Sequence, residues 1–258
     1  MNRSHRTFQL GQNTLNRIGL GTNRLTDTEE NRSFIRAAVD AGLDFIDTAH
    51  LYTKGSSEST IGAALAPFPD EVVVATKGGY RSNDPEELRA EIELSFERLR
   101  TDTIDLWYLH RVHPDDPFEE TLGLVSEYVT AGRITQVGVS EVSVEEIAVA
   151  QSIVSVAAVQ NEYSLVERKH DEVIDHCEAE RIAFVPFFPL AGDPTPAVRE
   201  AAGRHEASAN QIKLAWLLHR SPCVVPIPGT LSLEHLRDNL AALEIELDPE
   251  EQRSLTNG

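Results

Sequence analysis

Asp47, Tyr52, Lys77 and His110 place a carboxylate, a phenol, an ammonium and an imidazole in the first half of the chain. Together these are groups of general acid and base chemistry. Singly, each has a plain structural reading. Asp47 can cap the turn in "DTAHLY", Tyr52 can pack as a loop aromatic, and Lys77 can be a solvated strand end. His110, with His113, Asp115 and Asp116 close behind, could also begin a metal site, but no nearby Cys or paired Glu completes one. What decides between these readings is whether the fold brings the four groups to one place.

The elements that must position them alternate along the chain. Short β-branched runs occur at 17–22, 43–48, 71–77, 104–110, 134–140, 156–162, 182–188 and 223–229, which predicts eight strands. Amphipathic stretches at 28–41, 84–100, 117–131, 143–152, 167–180 and 232–243 lie between them. Several begin with helix-start signals: Ser143 precedes Glu146 in a capping box, and "NDPEE" and "LDPEE" put Pro and acids in a first turn. Repeated βα units over 258 residues predict one α/β domain, a (β/α)₈ TIM barrel spanning 1–258. "FQLGQNTL" reads as a short N-terminal β-hairpin that plugs the lower end of the barrel. In such a barrel, chemistry sits where strands end, and Asp47, Lys77 and His110 fall at the ends of the second, third and fourth strands, with Tyr52 in the loop after the second.

Composition narrows the class further. With 42 acidic against 23 basic residues, the formal charge of −19 argues against nucleic-acid partners and against docking on an anionic membrane. No apolar run of membrane-spanning length occurs, and "MNRSHRTFQL" lacks the apolar centre of a secretory signal, so a cytoplasmic location is expected. Cys177 and Cys223 read as reduced packing residues. Lys54, Lys77, Lys169 and Lys213 are the only lysines, so a lysine at 77 stands out in a chain that otherwise uses arginine.

The chain resembles the aldo-keto reductase family over nearly its whole length. The matching stretches are "IGLGT" 18–22, "DFIDTAHLY" 44–52, "ATKGG" 75–79, "LWYLHR" 106–111, "GRITQVGVSE" 132–141, "VQNEYSL" 159–165, "VPIPGT" 225–230 and "EHLRDNL" 234–240. The resemblance implies a barrel that binds a nicotinamide dinucleotide and reduces small-molecule carbonyls without a metal, using Asp47, Tyr52, Lys77 and His110 as a catalytic tetrad. Hydride addition leaves an alkoxide that needs a proton, and a free phenol with a pKa near 10 suits neutral pH poorly. A lowered Tyr52 pKa is therefore expected, with Lys77 favouring the tyrosinate, Asp47 holding Lys77 charged and His110 orienting the carbonyl.

The same resemblance implies cofactor contacts from Gly21 and Thr22, from Pro189 and Leu190, and from Ser140, Gln160 and Asn161 at the carboxamide. Glu141 stands where many members have Asn. Phe187 takes the place of a stacking Tyr and keeps an aromatic face. At the adenosine end, Gly229 and His235 replace the Lys and Arg of many NADPH users, leaving Thr230, Ser232, His235 and Arg237 for the 2′-phosphate, with Asp238 and Asn239 at the adenine. NADP(H) is the preferred cofactor on this reading, with NAD(H) able to serve. Short loops after strand seven and at the C-terminus imply an open mouth, and a monomer is expected. The alternative implied by the family is a cofactor-sensing regulatory subunit with little turnover.

Overall fold

A computed structural model describes residues 6–113 and 117–258. The chain opens with an antiparallel hairpin, β1 (Thr7–Leu10) and β2 (Asn13–Asn16), turned at Gly11 with φ +57°. There follows a parallel sheet in sequential order: β3 (Leu20–Gly21), β4 (Phe45–Asp47), β5 (Val73–Gly78), β6 (Ile104–Leu109), β7 (Ile134–Ser140), β8 (Val156–Gln160) and β9 (Ala183–Phe184).

The predicted eighth strand, 223–229, forms no regular strand, yet its backbone closes the barrel. Val225 N donates to Phe184 O on one side, and Gly19 N donates to Pro226 O and Gly21 N to Pro228 O on the other. Pro226 and Pro228 have no N–H, so the segment accepts bonds where a continuous strand would also donate them. Buried Arg17 reinforces the seam by donating to Leu218 O and Val224 O.

The helices are α1 (Glu29–Asp40), α2 (Ser56–Leu65), α3 (Pro85–Leu99), α4 (Phe118–Thr130), α5 (Val144–Gln151), α6 (Asp171–Glu180), α7 (Pro196–Arg204), α8 (Ala209–Arg220), α9 (Leu233–Ala241) and α10 (Pro249–Asn257). The start signals are used as expected. Ser143 with Glu146 and Asp248 with Glu251 form capping boxes, and Asp84 accepts from Glu86 N and Glu87 N ahead of Pro85. The stretch predicted from 167 becomes helical only at Asp171, because Ser164 Oγ accepts from Val166 N and Glu167 N and holds the chain in a preceding turn. Helices α2, α7 and α8 were not singled out by periodicity.

Strand alternation decides which residues face the barrel axis. Phe45, Val73, Ala75, Leu106, Tyr108 and Ala158 pack inside with Leu10 and Leu15 of the hairpin, which seals the lower end. Their strand neighbours Ile46, Val74, Trp107, Leu109 and Val159 face outward onto the helices. With a period of two, the inward set continues to Asp47, Lys77, His110, Ser140 and Gln160 at the C-terminal ends.

Candidate active site

Three of the four sequence-predicted groups thus share one face for a geometric reason, and the loop after β4 brings the fourth. Lys77 Nζ donates to Asp47 Oδ1 at 2.6 Å, to Thr48 O at 2.7 Å and to Tyr52 Oη at 3.3 Å. The second carboxylate oxygen, Asp47 Oδ2, accepts from Gln160 Nε2 at 2.8 Å. His110 meets the Tyr52 ring edge-on, with centroids 6.0 Å apart.

Tyr52 owes its position to a strained turn. It starts a short 3₁₀ segment in which Thr53 (φ 48°) and Lys54 (φ 58°) take left-handed backbone, followed by Gly55 at φ 88°. Arg98 holds the turn from beneath, donating to His50 O at 3.0 Å and to Glu58 Oε2 at 3.2 Å, while Glu58 Oε1 accepts from Thr76 Oγ1 at 2.6 Å. Gly55 has left-handed backbone, and a Cβ there would also displace the Arg98 guanidinium from its place under the turn.

The electrostatics correct one expectation. Burial raises the Tyr52 phenol above its ordinary value, and the pull of Lys77 in the opposite direction does not overcome it. Desolvation pushes Lys77 down, but Asp47 and Tyr52 outweigh it and keep the ammonium charged with its pKa above the ordinary value. His110 is lowered to about 2, by burial first and then by Lys77 and Arg111, so it is a neutral imidazole at physiological pH.

Asp47, Tyr52 and His110 line a cleft of about 580 Å³, and Lys77 is buried behind them. Gly21, Thr22, Ser140, Gln160, Phe187, Pro189, Leu190 and Gly229 also line it. A second hollow of about 520 Å³ shares Gly21, Thr22, Asn23, Arg24 and Gly229 with it and runs on to Thr230, Ser232 and His235 at the start of α9. Ser232 caps that helix by accepting from His235 N, and Thr230 Oγ1 accepts from Ser232 N.

Of the cofactor residues named from the sequence, Glu141, Asn161, Arg237, Asp238 and Asn239 line neither hollow. Glu141, at φ 55°, turns its carboxylate to Glu162 N at 2.7 Å. Asn161 spends its amide on Val142 and His170. Asp238 accepts from Ser208 Oγ at 2.9 Å, and Asn239 is buried in α9. Conversely, Arg24, Tyr80, Arg111 and Phe188 line the cleft without having been singled out. Arg111 was legible within "LHR", directly after His110, whereas Arg24 carried no local signal. No cluster of three or more His, Cys, Asp or Glu suited to a metal occurs among the described residues, and Asp115 and Asp116 lie outside them.

A parallel barrel whose strand ends converge on an Asp, Lys, Tyr and His beside an elongated groove defines a class, and comparison with known proteins names it. The model of the aldo/keto reductase family matches residues 17–195 and 192–257. An uncharacterized oxidoreductase of Schizosaccharomyces pombe is 35% identical over 266 residues, covering 95% of this chain and 87% of that protein. Pyridoxine 4-dehydrogenase of Escherichia coli is 32% identical over 275 residues, covering 96% of each. Among solved structures, a thermostable aldo-keto reductase in complex with the inhibitor epalrestat superposes with a TM-score of 0.91 at 30% identity, over 97% of this chain and 98% of that one. An aldo-keto reductase from Klebsiella pneumoniae in complex with NADPH gives 0.87 at 29%, over 98% and 94%. The chain belongs to the aldo/keto reductase family and is an NAD(P)H-dependent oxidoreductase of carbonyl compounds. A sensing subunit is not favoured.

Proposed function

We propose that the chain reduces aldehydes or ketones to alcohols with Tyr52 as the proton donor and NADP(H) as the preferred cofactor. The observation that carries this reading is the Asp47–Lys77–Tyr52 chain of contacts beside a cleft that continues into a second hollow. A bound nicotinamide dinucleotide supplies the hydride. Tyr52 Oη, protonated because burial raises its pKa, gives its proton to the developing alkoxide, a far stronger base than phenolate. Lys77 stabilises the resulting tyrosinate, Asp47 and Gln160 hold Lys77 in place, and neutral His110 orients the carbonyl oxygen.

The groove fits an extended dinucleotide. A Cβ on Gly21 would stand 2.8 Å from Ile227 O, so glycine there lets the closing segment approach the first barrel strand beside the groove. Ser140 and Gln160 are proposed at the carboxamide and Phe187 at the nicotinamide face, with Thr22, Pro189 and Leu190 along the wall. Thr230, Ser232, the start of α9, His235 and Arg24 suit an anionic phosphate. On the resemblance alone, Glu141 is proposed near the carboxamide and Asp238 and Asn239 near the adenine, although none of the three lines either hollow. NADPH at Arg24 and His235 would be favoured over NADH, with NADH still accepted. A monomer acting in the cytoplasm on a small-molecule carbonyl completes the proposal; no helix among the described residues is long and apolar enough to cross a membrane.

The test is a panel of aldehydes and ketones with each reduced cofactor, followed at the nicotinamide absorbance band. Aldehyde-dependent loss of the band, faster with NADPH, is expected. A panel that consumes neither cofactor would overturn the reading.

A further inference from the structure

One guanidinium in the cleft has no task in the reaction just described. Among the described residues Arg111 donates through a single nitrogen: Nη1 to His110 O at 2.9 Å and to Ser140 Oγ at 3.3 Å. Its Cζ lies 5.4 Å from the Tyr80 ring centre and 5.8 Å from that of Phe187, so two aromatic rings lie beside it. Among the described residues no carboxylate pairs with it, although acids outnumber bases 42 to 23 in the chain. The one carboxylate lining the cleft, Asp47, is already engaged by Lys77 and Gln160. Nε and Nη2 donate to no described residue, and neither is sealed away from solvent. These two N–H groups share one edge of the guanidinium and point the same way, the geometry that meets both oxygens of a planar carboxylate. Tyr80 and Phe188, 43% and 58% exposed, line the same cleft.

We propose that Arg111 makes this enzyme selective for carbonyl substrates that carry a carboxylate, held by Nε and Nη2 while the carbonyl points to Tyr52 and His110. The proposal rests on the reductase reading above. In a chain of formal charge −19, an unpaired cation beside the reacting groups opposes the general repulsion of anions and admits them locally. A charge-assisted bidentate contact is expected to favour the acid over a neutral analogue by roughly ten- to hundredfold.

The decisive comparison is kcat/KM for 4-carboxybenzaldehyde against its methyl ester, methyl 4-formylbenzoate, in the parent, Arg111→Gln and Arg111→Lys. The ratio cancels any general loss of rate. Acid preference of about tenfold or more in the parent, falling to about one in Arg111→Gln and partly kept in Arg111→Lys, is expected. A parent ratio at or below one, or a preference that survives Arg111→Gln, overturns the proposal and leaves Arg111 as a brace for Ser140 and the two rings. Calorimetric binding of 4-methylbenzoate to the same proteins decides the point without turnover: weaker binding in Arg111→Gln than in Arg111→Lys supports it, and equal binding by parent and Arg111→Gln overturns it. If neither aldehyde is reduced while the benzoate result holds, the reductase reading fails and the carboxylate site stands.

Discussion

Gln160 Nε2 donates to Asp47 Oδ2 at 2.8 Å, joining residues 113 positions apart in the chain. With Lys77 on Oδ1, both oxygens of this buried carboxylate are satisfied. Gln160, proposed at the carboxamide, therefore also holds the buried Asp47–Lys77 ion pair.

Gln160→Leu should strand Asp47 Oδ2 and cost about 1–3 kcal/mol, the penalty for a buried acceptor without a donor. At roughly 2–4 °C per kcal/mol for a chain of this size, thermal melting should fall by several degrees. An unchanged melting temperature would show that Asp47 finds another donor.

Tyr52→Phe should lower kcat by at least about a hundredfold while dinucleotide affinity stays within a few-fold, because the phenol serves the proton and not the cofactor. Lys77→Met and Lys77→Arg should each cost at least roughly a hundredfold as well. Steady-state rates with cofactor titrations separate the two effects. Near-parental turnover in Tyr52→Phe would remove it from the acid role.

His110, lowered to about 2, gives a pH dependence whose sign is defined. The unfolded chain takes up a proton near pH 6.5 that the folded chain refuses, so this residue's contribution to stability falls as pH drops from about 6.5 toward 2. Between pH 7 and 5 the loss should approach about 2 kcal/mol. Asp44, raised to about 6 by burial, acts with opposite sign but is present in both proteins. Urea unfolding of parent and His110→Gln at the two pH values should show the difference. Parallel pH profiles would mean that His110 is charged in the folded state.

Arg24 and His235 both line the hollow at α9, and they define the cofactor prediction. Arg24→Gln should weaken NADPH by about fivefold or more and NADH less, with the gap shrinking at high salt. NADPH preference in the parent should be modest, and His235→Ala should reduce it further. Dissociation constants for both cofactors measure this. A large NADPH preference surviving both substitutions would move the phosphate contact elsewhere, with Arg237 on the exposed side of α9 the next candidate.

The amino-acid sequence by itself determined the barrel, the order of its strands and which residues stand at their ends. Strand runs and capping residues are local signals, and a period of two places Asp47, Lys77 and His110 on one inner face once their strands are recognised. Helix α8 escaped because it is buried along most of its length, so apolar residues mark no single face. The eighth strand was legible as a position but not as a hydrogen-bond pattern, since its two prolines accept without donating.

Tertiary structure alone decided what the side chains do there. It turned Glu141 and Asn161 onto neighbouring groups, brought Arg24 to the groove, left one edge of Arg111 open beside His110, and tied Gln160 to Asp47. It also reversed the expected shift of Tyr52, because burial outweighs the cation that was expected to lower it. The physical reason is common to all of these: residue type and spacing fix what a group can donate or accept, whereas its partners and its desolvation are set by segments far away in the chain.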